Sequence, residues 1–170
     1  PLACNFNPEA NMADGSCDYP EQGYDCDGNI TAEIGDVIEG GYLFYIDETG
    51  QRGLVASMDD IGQLFWGCYY ENVGSDLFGA DGTGIGEGLQ NTIDILASCS
   101  DSPIAAREVF NFNYLDFSDW YLPSKDELVE MYNAIGNGSQ QGNFGSFMND
   151  WYWSSSEHDE DDVWSVNFTD

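Results

Sequence analysis

The stretch Asp119-Trp120-Tyr121-Leu122-Pro123-Ser124-Lys125-Asp126-Glu127-Leu128-Val129-Glu130-Met131-Tyr132 carries the clearest local signals in the chain. Residues 120–122 predict a short buried strand, because they are aromatic or aliphatic and precede a proline that cannot continue a ladder. Ser124 is placed to cap a helix, and Glu127, three residues later, completes a capping box. One face of that helix is apolar, at Leu128, Met131, Tyr132 and Ile135. Because Gly136 predicts the end of the helix, we expect a strand that runs directly into a capped helix and supports the core.

The charge of the chain limits its partners. Of 170 residues, 32 are acidic and three are basic, which gives a formal net charge of −29. Such a surface repels nucleic acid, anionic lipid and sulfated polysaccharide, so we expect no nucleic-acid partner. Two explanations stay open, a solubilising surface adapted to salty water and an array of divalent-cation sites. Aromatic residues make up 15% of the chain, which indicates a buried core, and the length allows one core with a small appendage.

The cysteines point to an oxidising compartment. The chain has five, and three of them, Cys4, Cys17 and Cys26, lie within the first 26 residues. This density predicts disulfides and an extracellular, cell-surface or virion-surface location, while the odd count leaves one cysteine without a partner in the chain. No apolar run approaches the roughly 20 residues that a membrane span needs, so we expect no membrane insertion.

Residues 1–30 form the first predicted domain, a small Cys-rich module. Its apolar area is too small for a core, so disulfides or metal must stabilise it, and which of its three cysteines pair with each other stays open. Side chains with oxygen ligands for a structural calcium ion are present at Asp14, Asp18, Asp25, Asp27 and Asn29. The spacing of an EF-hand is absent, and surface Asx turns account for the same residues. Calcium binding and solvated turns therefore stay as alternatives.

Part of this module resembles a known repeat. Pro1-Leu2-Ala3-Cys4-Asn5-Phe6 and Ala13-Asp14-Gly15-Ser16-Cys17 are similar to a Cys-rich repeat of secreted proteins from marine bacteria and their phages. That repeat begins with a Gly-Cys-Thr-Asp segment, which would precede Pro1. The resemblance implies that the odd cysteine pairs with an upstream residue, and we expect the chain to be a piece of a larger protein.

Residues 34–170 form the second predicted domain. Apolar runs at 41–46 and 53–58 predict a β-hairpin, and the aromatic run 63–70 predicts another strand. Asn91 predicts the cap of a helix to Cys99, and Ser102-Pro103 predicts the start of a second helix. The Gly-rich segment 79–88 predicts a structured loop, because it lacks the Lys-Ser/Thr of a phosphate loop. Two final strands are expected at 150–155 and 163–169, joined by an acidic tip, and alternation in the last strand predicts that Trp164, Val166 and Phe168 are buried.

The second domain resembles one family. The motifs that carry the resemblance are Gly40-Gly41-Tyr42-Leu43-Phe44-Tyr45-Ile46-Asp47, Trp66-Gly67-Cys68, Asn91-Thr92-Ile93 after Gly86, the opening stretch, and Tyr152-Trp153-Ser154-Ser155-Ser156-Glu157. They are similar to the C-terminal globular domain of bacterial collagen-like adhesins, a branch of the C-type-lectin-like superfamily. The resemblance implies an α+β fold with a twisted antiparallel sheet, two or three helices and long loops. It also implies a Cys68–Cys99 disulfide and a last strand that would follow Asp170.

An enzyme is not expected. His158 is the only histidine and lies in the acidic tip, so no Ser/His/Asp set can be assembled. In lectin-like folds recognition is carried by loops on a rigid sheet, and here the corresponding loops are 71–90 and 136–162. The candidate ligand-binding residues are Asn149, Asp150, Trp151, Glu157 and Asp159. Asn149-Asp150 resembles the calcium-binding Asn-Asp pair of sugar-binding C-type lectins, although the companion Glu-Pro-Asn triplet is absent.

Two functions stay open on the sequence. In the first, the chain is a surface-displayed recognition or adhesion domain that binds a glycan or a cell-surface protein. In the second, it is a structural subunit or decoration of an extracellular filament, sheath or virion, such as a phage fibre, and it assembles with itself or within a larger chain.

Overall fold

A computed structural model describes residues 3–12, 14–68, 79–159 and 162–169. Within these ranges the chain is α+β, with three helices, two small antiparallel sheets and two disulfides. The elements are β1 (Val37–Ile38), β2 (Gly41–Ile46), β3 (Gly53–Ser57), α1 (Gly88–Ser98), α2 (Ala105–Phe110), α3 (Lys125–Ile135), β4 (Trp151–Glu157) and β5 (Val163–Asn167). None of the described helices is long and apolar enough to cross a bilayer.

The first sheet contains the predicted hairpin. Its strand order is β1-β2-β3, and Leu43 of β2 stands opposite Val55 of β3. The turn that joins β2 to β3 is closed by Asp47, whose carboxylate accepts hydrogen bonds from the backbone N–H and the hydroxyl of Thr49. Leu43 is fully buried, so the sheet turns one face to the core.

Helix α3 forms as the capping box predicts. Ser124 Oγ accepts from the backbone N–H of Glu127 at 3.3 Å, and Glu127 Oε2 accepts from the backbone N–H of Ser124 at 2.7 Å. Leu128 and Ile135 are buried on its core face, and Gly136 caps its end. The helix therefore begins and ends where local chemistry places it.

The strand predicted at residues 120–122 is absent from the structure. This segment lies against α1, where the Leu122 N–H donates to Thr92 Oγ1 at 3.1 Å, so a side chain takes the place of a neighbouring strand. The strand predicted at 63–70 is also wrong over its described part, residues 63–68. That part is anchored by a side chain as well, since the Trp66 indole N–H donates to the Ser154 carbonyl at 2.8 Å.

Helices α1 and α2 exist, but their predicted caps are wrong. Helix α1 starts at Gly88 after Glu87, and Asn91 lies inside it, buried, where its amide donates to the Gly82 carbonyl at 2.6 Å. Helix α2 starts after Ile104 instead of Ser102, and the Ser102–Pro103 peptide bond before it is cis. Tertiary contacts have overridden the local cap preferences at both places.

The second sheet pairs β4 with β5, antiparallel, with Tyr152 opposite Val166. Phe168, just beyond β5, is fully buried as the alternation predicts. Trp164 is 38% exposed, contrary to the prediction, because its ring packs at the surface against His158 and near the Lys125 ammonium group. The alternation therefore identifies the strand but misplaces one of its aromatic side chains.

The disulfides join Cys4 to Cys26 and Cys68 to Cys99, and the latter is the pair that the adhesin resemblance implies. Cys17 is an exposed thiol. The Cys68–Cys99 bridge is buried in an apolar cluster with Trp66, Ile95 and Ile104. The bridge therefore links the segment that ends at Cys68 to the C-terminal end of α1 within this cluster.

The Cys-rich module contacts the hairpin. The Ile30 N–H donates to the Gly50 carbonyl at 2.7 Å, and the Tyr24 hydroxyl donates to Glu39 Oε1 at 2.8 Å. Burial and the neighbouring Glu39 carboxylate raise the pKa of Tyr24 to about 12. These bonds connect the two predicted domains at the β2–β3 turn and at the β1–β2 turn.

Candidate ligand-binding cleft

A cavity of about 620 Å³ lies between the two sheets, which is a size typical of small-molecule and side-chain binding sites. Its walls come from β3, the segment 58–64, helix α3, the segment 117–123 and the start of β4. We call this cavity the aromatic cleft.

Aromatic rings dominate the lining. They are Phe44, Phe112, Phe117, Trp120, Tyr121, Phe147, Trp151, Tyr152 and Trp153. Phe112 packs edge-on against Trp120 with ring centroids 6.0 Å apart, and Phe147 packs edge-on against Tyr152 at 5.6 Å. These pairs hold the rings in fixed orientations, so the cleft presents a preformed apolar surface.

Carboxylates surround the rings. Those in the lining are Glu39, Asp59, Asp60, Asp119, Glu127 and Asp150. The three basic residues of the chain, Arg52, Arg107 and Lys125, do not line the cleft. The cleft is therefore both aromatic and strongly negative.

Side-chain hydrogen bonds fix the segment 58–64 against β4. The Tyr152 hydroxyl donates to Asp60 Oδ2 at 3.0 Å, the Trp153 indole N–H donates to the Leu64 carbonyl at 3.0 Å, and the Gln63 amide donates to Asp150 Oδ2 at 3.3 Å. Burial, followed by the charge of Asp60, raises the pKa of Tyr152 to about 12. The phenol therefore stays protonated and keeps its bond to Asp60 at physiological pH.

A second group of polar side chains lies behind the cleft, and we call it the polar core. Its members, all buried, are Asn91, Thr92, Ser124, Glu127, Ser154, Ser155 and Ser156. Glu127 is its centre, because its carboxylate accepts from the Gly86 N–H at 2.7 Å, the Ser124 N–H at 2.7 Å and the Tyr121 hydroxyl at 3.3 Å. Burial and the Glu127 carboxylate raise the pKa of Tyr121 above its ordinary range, which preserves the donated proton.

The polar core also organises the Gly-rich loop. Ser156 Oγ donates to the Gly82 carbonyl at 2.6 Å, and Ser124 Oγ donates to the Gly84 carbonyl at 2.8 Å. The prediction of a structured loop is therefore confirmed for its described residues, 79–88. The rest of the predicted recognition loop, 71–78, lies outside the described residues.

The structure divides the predicted ligand-binding residues between two places. Asp150 and Trp151 line the aromatic cleft, and Asn149 lies beside it, where its side chain accepts from the Asn137 amide at 2.7 Å. Glu157 ends β4, and Asp159 follows it in the acidic tip. At about 3.3 Å per residue the seven residues of β4 span at most roughly 20 Å, and the strand bulges between Trp153 and Glu157. Neither Glu157 nor Asp159 lines the cleft. The two groups do not form one site.

The acidic tip brings together three side chains of types that can coordinate a metal ion. His158, Asp159 and Asp162 place one donor atom each within 4.8 Å of one another, all exposed. His158 Nδ1 lies 3.1 Å from Asp159 Oδ2, and its ring packs edge-on against Trp164 with centroids 4.5 Å apart. The imidazole is thus engaged by a carboxylate and a ring at the surface of the hairpin.

The predicted calcium residues of the Cys-rich module act within their own turns. Asp14 accepts from the backbone and hydroxyl of Ser16, and these bonds lower the pKa of its carboxyl. Asp25 accepts from the side chain and backbone of Asn29 and from the Asp27 N–H, and the bonds from Asn29 lower its pKa most. Asp18 accepts from Asn5 at 3.3 Å. The Asx turns are present, and calcium binding by these residues stays a prediction.

Sequence reasoning missed most of the cleft. Asp60 and Tyr152, which hydrogen bond across it, are 92 positions apart in the chain. Trp120 is predicted to lie in a strand, and no element or site is predicted for residues 59–62. The 15% aromatic content was the available signal, and it indicates buried rings without saying which of them surround a cavity.

Comparison of the chain with models of known protein families, with curated proteins and with solved structures finds no match. The similarity to the adhesin domain therefore rests on the motifs in the sequence, and membership of the C-type-lectin-like superfamily stays a prediction. The two disulfides fit an oxidising, extracellular setting.

Proposed function

We propose that this chain is an extracellular, non-enzymatic recognition domain with a C-type-lectin-like fold, which binds a glycan or a cell-surface ligand in the aromatic cleft. The observation that carries the proposal is the cleft itself, a preformed cavity of about 620 Å³ between the two sheets. Concave, largely apolar cavities with a few convergent polar groups are the usual form of ligand sites. The α+β architecture and the Cys68–Cys99 bridge support the fold assignment.

The position of Trp151 supports the view that the cleft binds a ligand and that its rings do more than pack against each other. Its side chain is 62% exposed although it lines the cavity and begins β4. An exposed aromatic ring at the mouth of an aromatic cavity is available for stacking against an incoming ligand. Asp150 beside it offers carboxylate oxygens to polar groups of the same ligand.

Binding to arrays of glycans and of cell-surface proteins tests the proposal. We expect the natural chain to bind one or more ligands on the arrays, and we expect this binding to be lost in the Trp151→Ala variant. Trp164→Ala is the matched control, because Trp164 is also partly exposed but lies on β5 near the acidic tip. Absence of any binding, or equal loss in both variants, would reject the cleft as a recognition site.

Calcium is proposed as a structural ion of this extracellular domain, supported by the acidic turns of the Cys-rich module. Calcium should then raise the melting temperature more than sodium does at equal ionic strength, because only a ligand of the folded state shifts the unfolding equilibrium. Loss of array binding in EDTA would extend the role of the ion to recognition. Equal melting curves in the two salts would remove calcium from the proposal.

The alternative function, a structural subunit of a filament, sheath or virion, has one observation in its favour. Strand β5 pairs only with β4 among the described residues, so its outer edge is open to another strand. Ordered polymers seen by sedimentation and electron microscopy, together with no binding to any ligand on the arrays, would favour this function over recognition.

A further inference from the structure

We propose that the aromatic cleft takes an organic cation, in which a positively charged head is joined to a hydrocarbon body. A lysine side chain of a partner protein and a free alkylamine share this chemistry. The inference rests on the proposed function, because it names the ligand class of the same cleft.

Two carboxylates of the cleft, Asp60 and Asp150, accept hydrogen bonds from neutral donors of the described chain. Asp60 accepts from the Gly62 N–H at 2.8 Å and from the Tyr152 hydroxyl at 3.0 Å, and both donors are neutral. Asp150 likewise accepts from the neutral Trp151 N–H and Gln63 amide. Hydrogen bonds from neutral groups orient a carboxylate without cancelling its charge, so the cleft remains an anionic surface.

No counter-ion for these groups is supplied by the described part of the chain. Its ion pairs are Lys125–Asp126 and His158–Asp159, and neither involves a carboxylate of the cleft. Low-dielectric walls focus the field of such charges into a cavity, and a net charge of −29 adds a long-range attraction for cations. A cation is therefore drawn toward the cleft before it makes any contact.

The aromatic rings then favour an organic cation over a simple metal ion. The face of an indole or phenol ring carries negative potential and attracts ammonium and guanidinium groups, most strongly for tryptophan. Trp120, Trp151 and Trp153 all line the cavity, and the last two are 62% and 39% exposed. The apolar side chains between them, including Leu54 and Met131, offer contact area to a hydrocarbon body.

The same features disfavour other ligands. An anionic or sulfated ligand would meet uncompensated carboxylates at close range. A neutral alcohol or sugar could donate hydrogen bonds to these carboxylates but would lack the attraction between opposite charges. Charge complementarity therefore selects the head group, and the apolar lining selects the body.

Three probes with one hydrocarbon chain and different heads test this inference on the full chain. Hexylammonium, 1-hexanol and hexanoate are titrated at near-physiological salt into ¹⁵N-labelled protein, and the indole N–H signals of the tryptophans are followed. We expect hexylammonium to bind at least about tenfold more tightly than 1-hexanol, and hexanoate not to bind. Equal binding of the cation and the alcohol would overturn the inference.

Paired charge variants separate the cleft from the general charge of the protein. Asp59→Asn with Asp119→Asn removes two carboxylates that line the cleft, and Glu9→Gln with Glu21→Gln removes two exposed carboxylates of the Cys-rich module. Both double variants have the same net charge. We expect the first to weaken hexylammonium binding about fivefold and the second less than about twofold. Equal weakening would show that the cation responds only to net charge, which would overturn the cleft as its site.

A lysine-containing peptide and its Nε-acetylated form distinguish the two sources of the cation. Stronger binding of the unacetylated peptide, lost with Trp151→Ala, supports a protein partner, whereas binding of hexylammonium alone supports a free amine. If neutral oligosaccharides perturb the same indole signals while both cations fail, the cationic ligand is rejected and the proposed function stands. If no probe or array ligand binds, both are rejected.

Discussion

The polar core and the aromatic cleft share Glu127, yet they are built on opposite principles. In the polar core every carboxylate and hydroxyl that we describe has a partner within the chain, with Glu127 holding two backbone N–H groups and a phenol. In the cleft the carboxylates face a cavity and have no cationic partner among the described residues. A buried polar group that is fully hydrogen bonded stabilises one structure, whereas charge left beside an open apolar surface is available to a ligand. This difference is the reason why the cleft, and not the polar core, is proposed as the binding site.

Strand β4 connects the two regions. Its first three residues, Trp151 to Trp153, line the cleft, and its three serines lie in the polar core. The Ser155 N–H donates to the Pro123 carbonyl at 2.7 Å, and Ser154 Oγ donates to the Trp164 carbonyl at 2.8 Å. Bonds at the serine end therefore hold in place the strand whose aromatic end lines the cleft.

Removing the centre of the polar core should have the largest effect on stability. Glu127→Ala leaves two backbone N–H groups and the Tyr121 hydroxyl without their acceptor, and it removes half of the capping box. We expect a loss of about 4 kcal/mol in the free energy of unfolding, measured by urea denaturation.

Glu130→Ala is the control for this variant, since Glu130 lies on the same helix but is not one of the buried polar residues. It should change the free energy of unfolding by less than about 0.5 kcal/mol. Similar losses in the two variants would mean that helix charge, and not the polar core, is what stabilises this region.

Removing the buried disulfide should have the next largest effect. Cys68→Ala with Cys99→Ala opens a loop of 31 residues, for which the chain-entropy model gives about 3.7 kcal/mol. Because Cys99 caps α1 beside the polar core, faster amide hydrogen exchange should appear in α1 and α2 before it appears in β2 and β3. Uniform loss of protection across both sheets would contradict the division into two regions.

The parts of the fold that the sequence predicts are those that depend on neighbours in the chain. Ser124 and Glu127 are three positions apart, so their capping box is visible locally. Asn91 looks like a cap by the same rules, but it reaches Gly82, Ser155 and Ser156 from inside α1, and those contacts depend on the tertiary fold. Residues 120–122 have the composition of a strand and take their partner from Thr92 on a helix.

The candidate site shows the same limit. Asp150 and its neighbour Trp151 are predicted because Asn149-Asp150 resembles the Asn-Asp pair of sugar-binding C-type lectins, and both residues line the cleft. Glu157 and Asp159 are grouped with them in the prediction, because the sequence does not show that the whole of β4 separates the two pairs. Asp60 accepts a hydrogen bond from Tyr152, which is 92 positions away in the sequence, and no pattern near Asp60 indicates that it belongs to a site.

The smallest expected effect tests the electrostatics of the cleft wall. Burial first, and then Asp60, raise the pKa of Tyr152 from 10.0 to about 12, so the neutral phenol is favoured in the folded state. Its contribution to stability is fully present below pH 10 and is lost as the pH rises through about 12. Because the ring is only half-buried, solvent screens part of the interaction, so the loss should not exceed about 1 kcal/mol. Tyr152→Phe should start about 1 kcal/mol less stable near pH 9, because it loses the bond to Asp60, and should then show a smaller fall in urea stability toward pH 11.5 than the natural chain. The pKa of Tyr24 is also raised to about 12, so part of the fall in unfolding free energy remains in the Tyr152→Phe variant.

Tyr19→Phe serves as the control, because Tyr19 is exposed, and its unfolding free energy should fall with pH as steeply as that of the natural chain. If Tyr152→Phe falls as steeply too, Asp60 does not act on the phenol, and the cleft wall is less negative than its carboxylates imply.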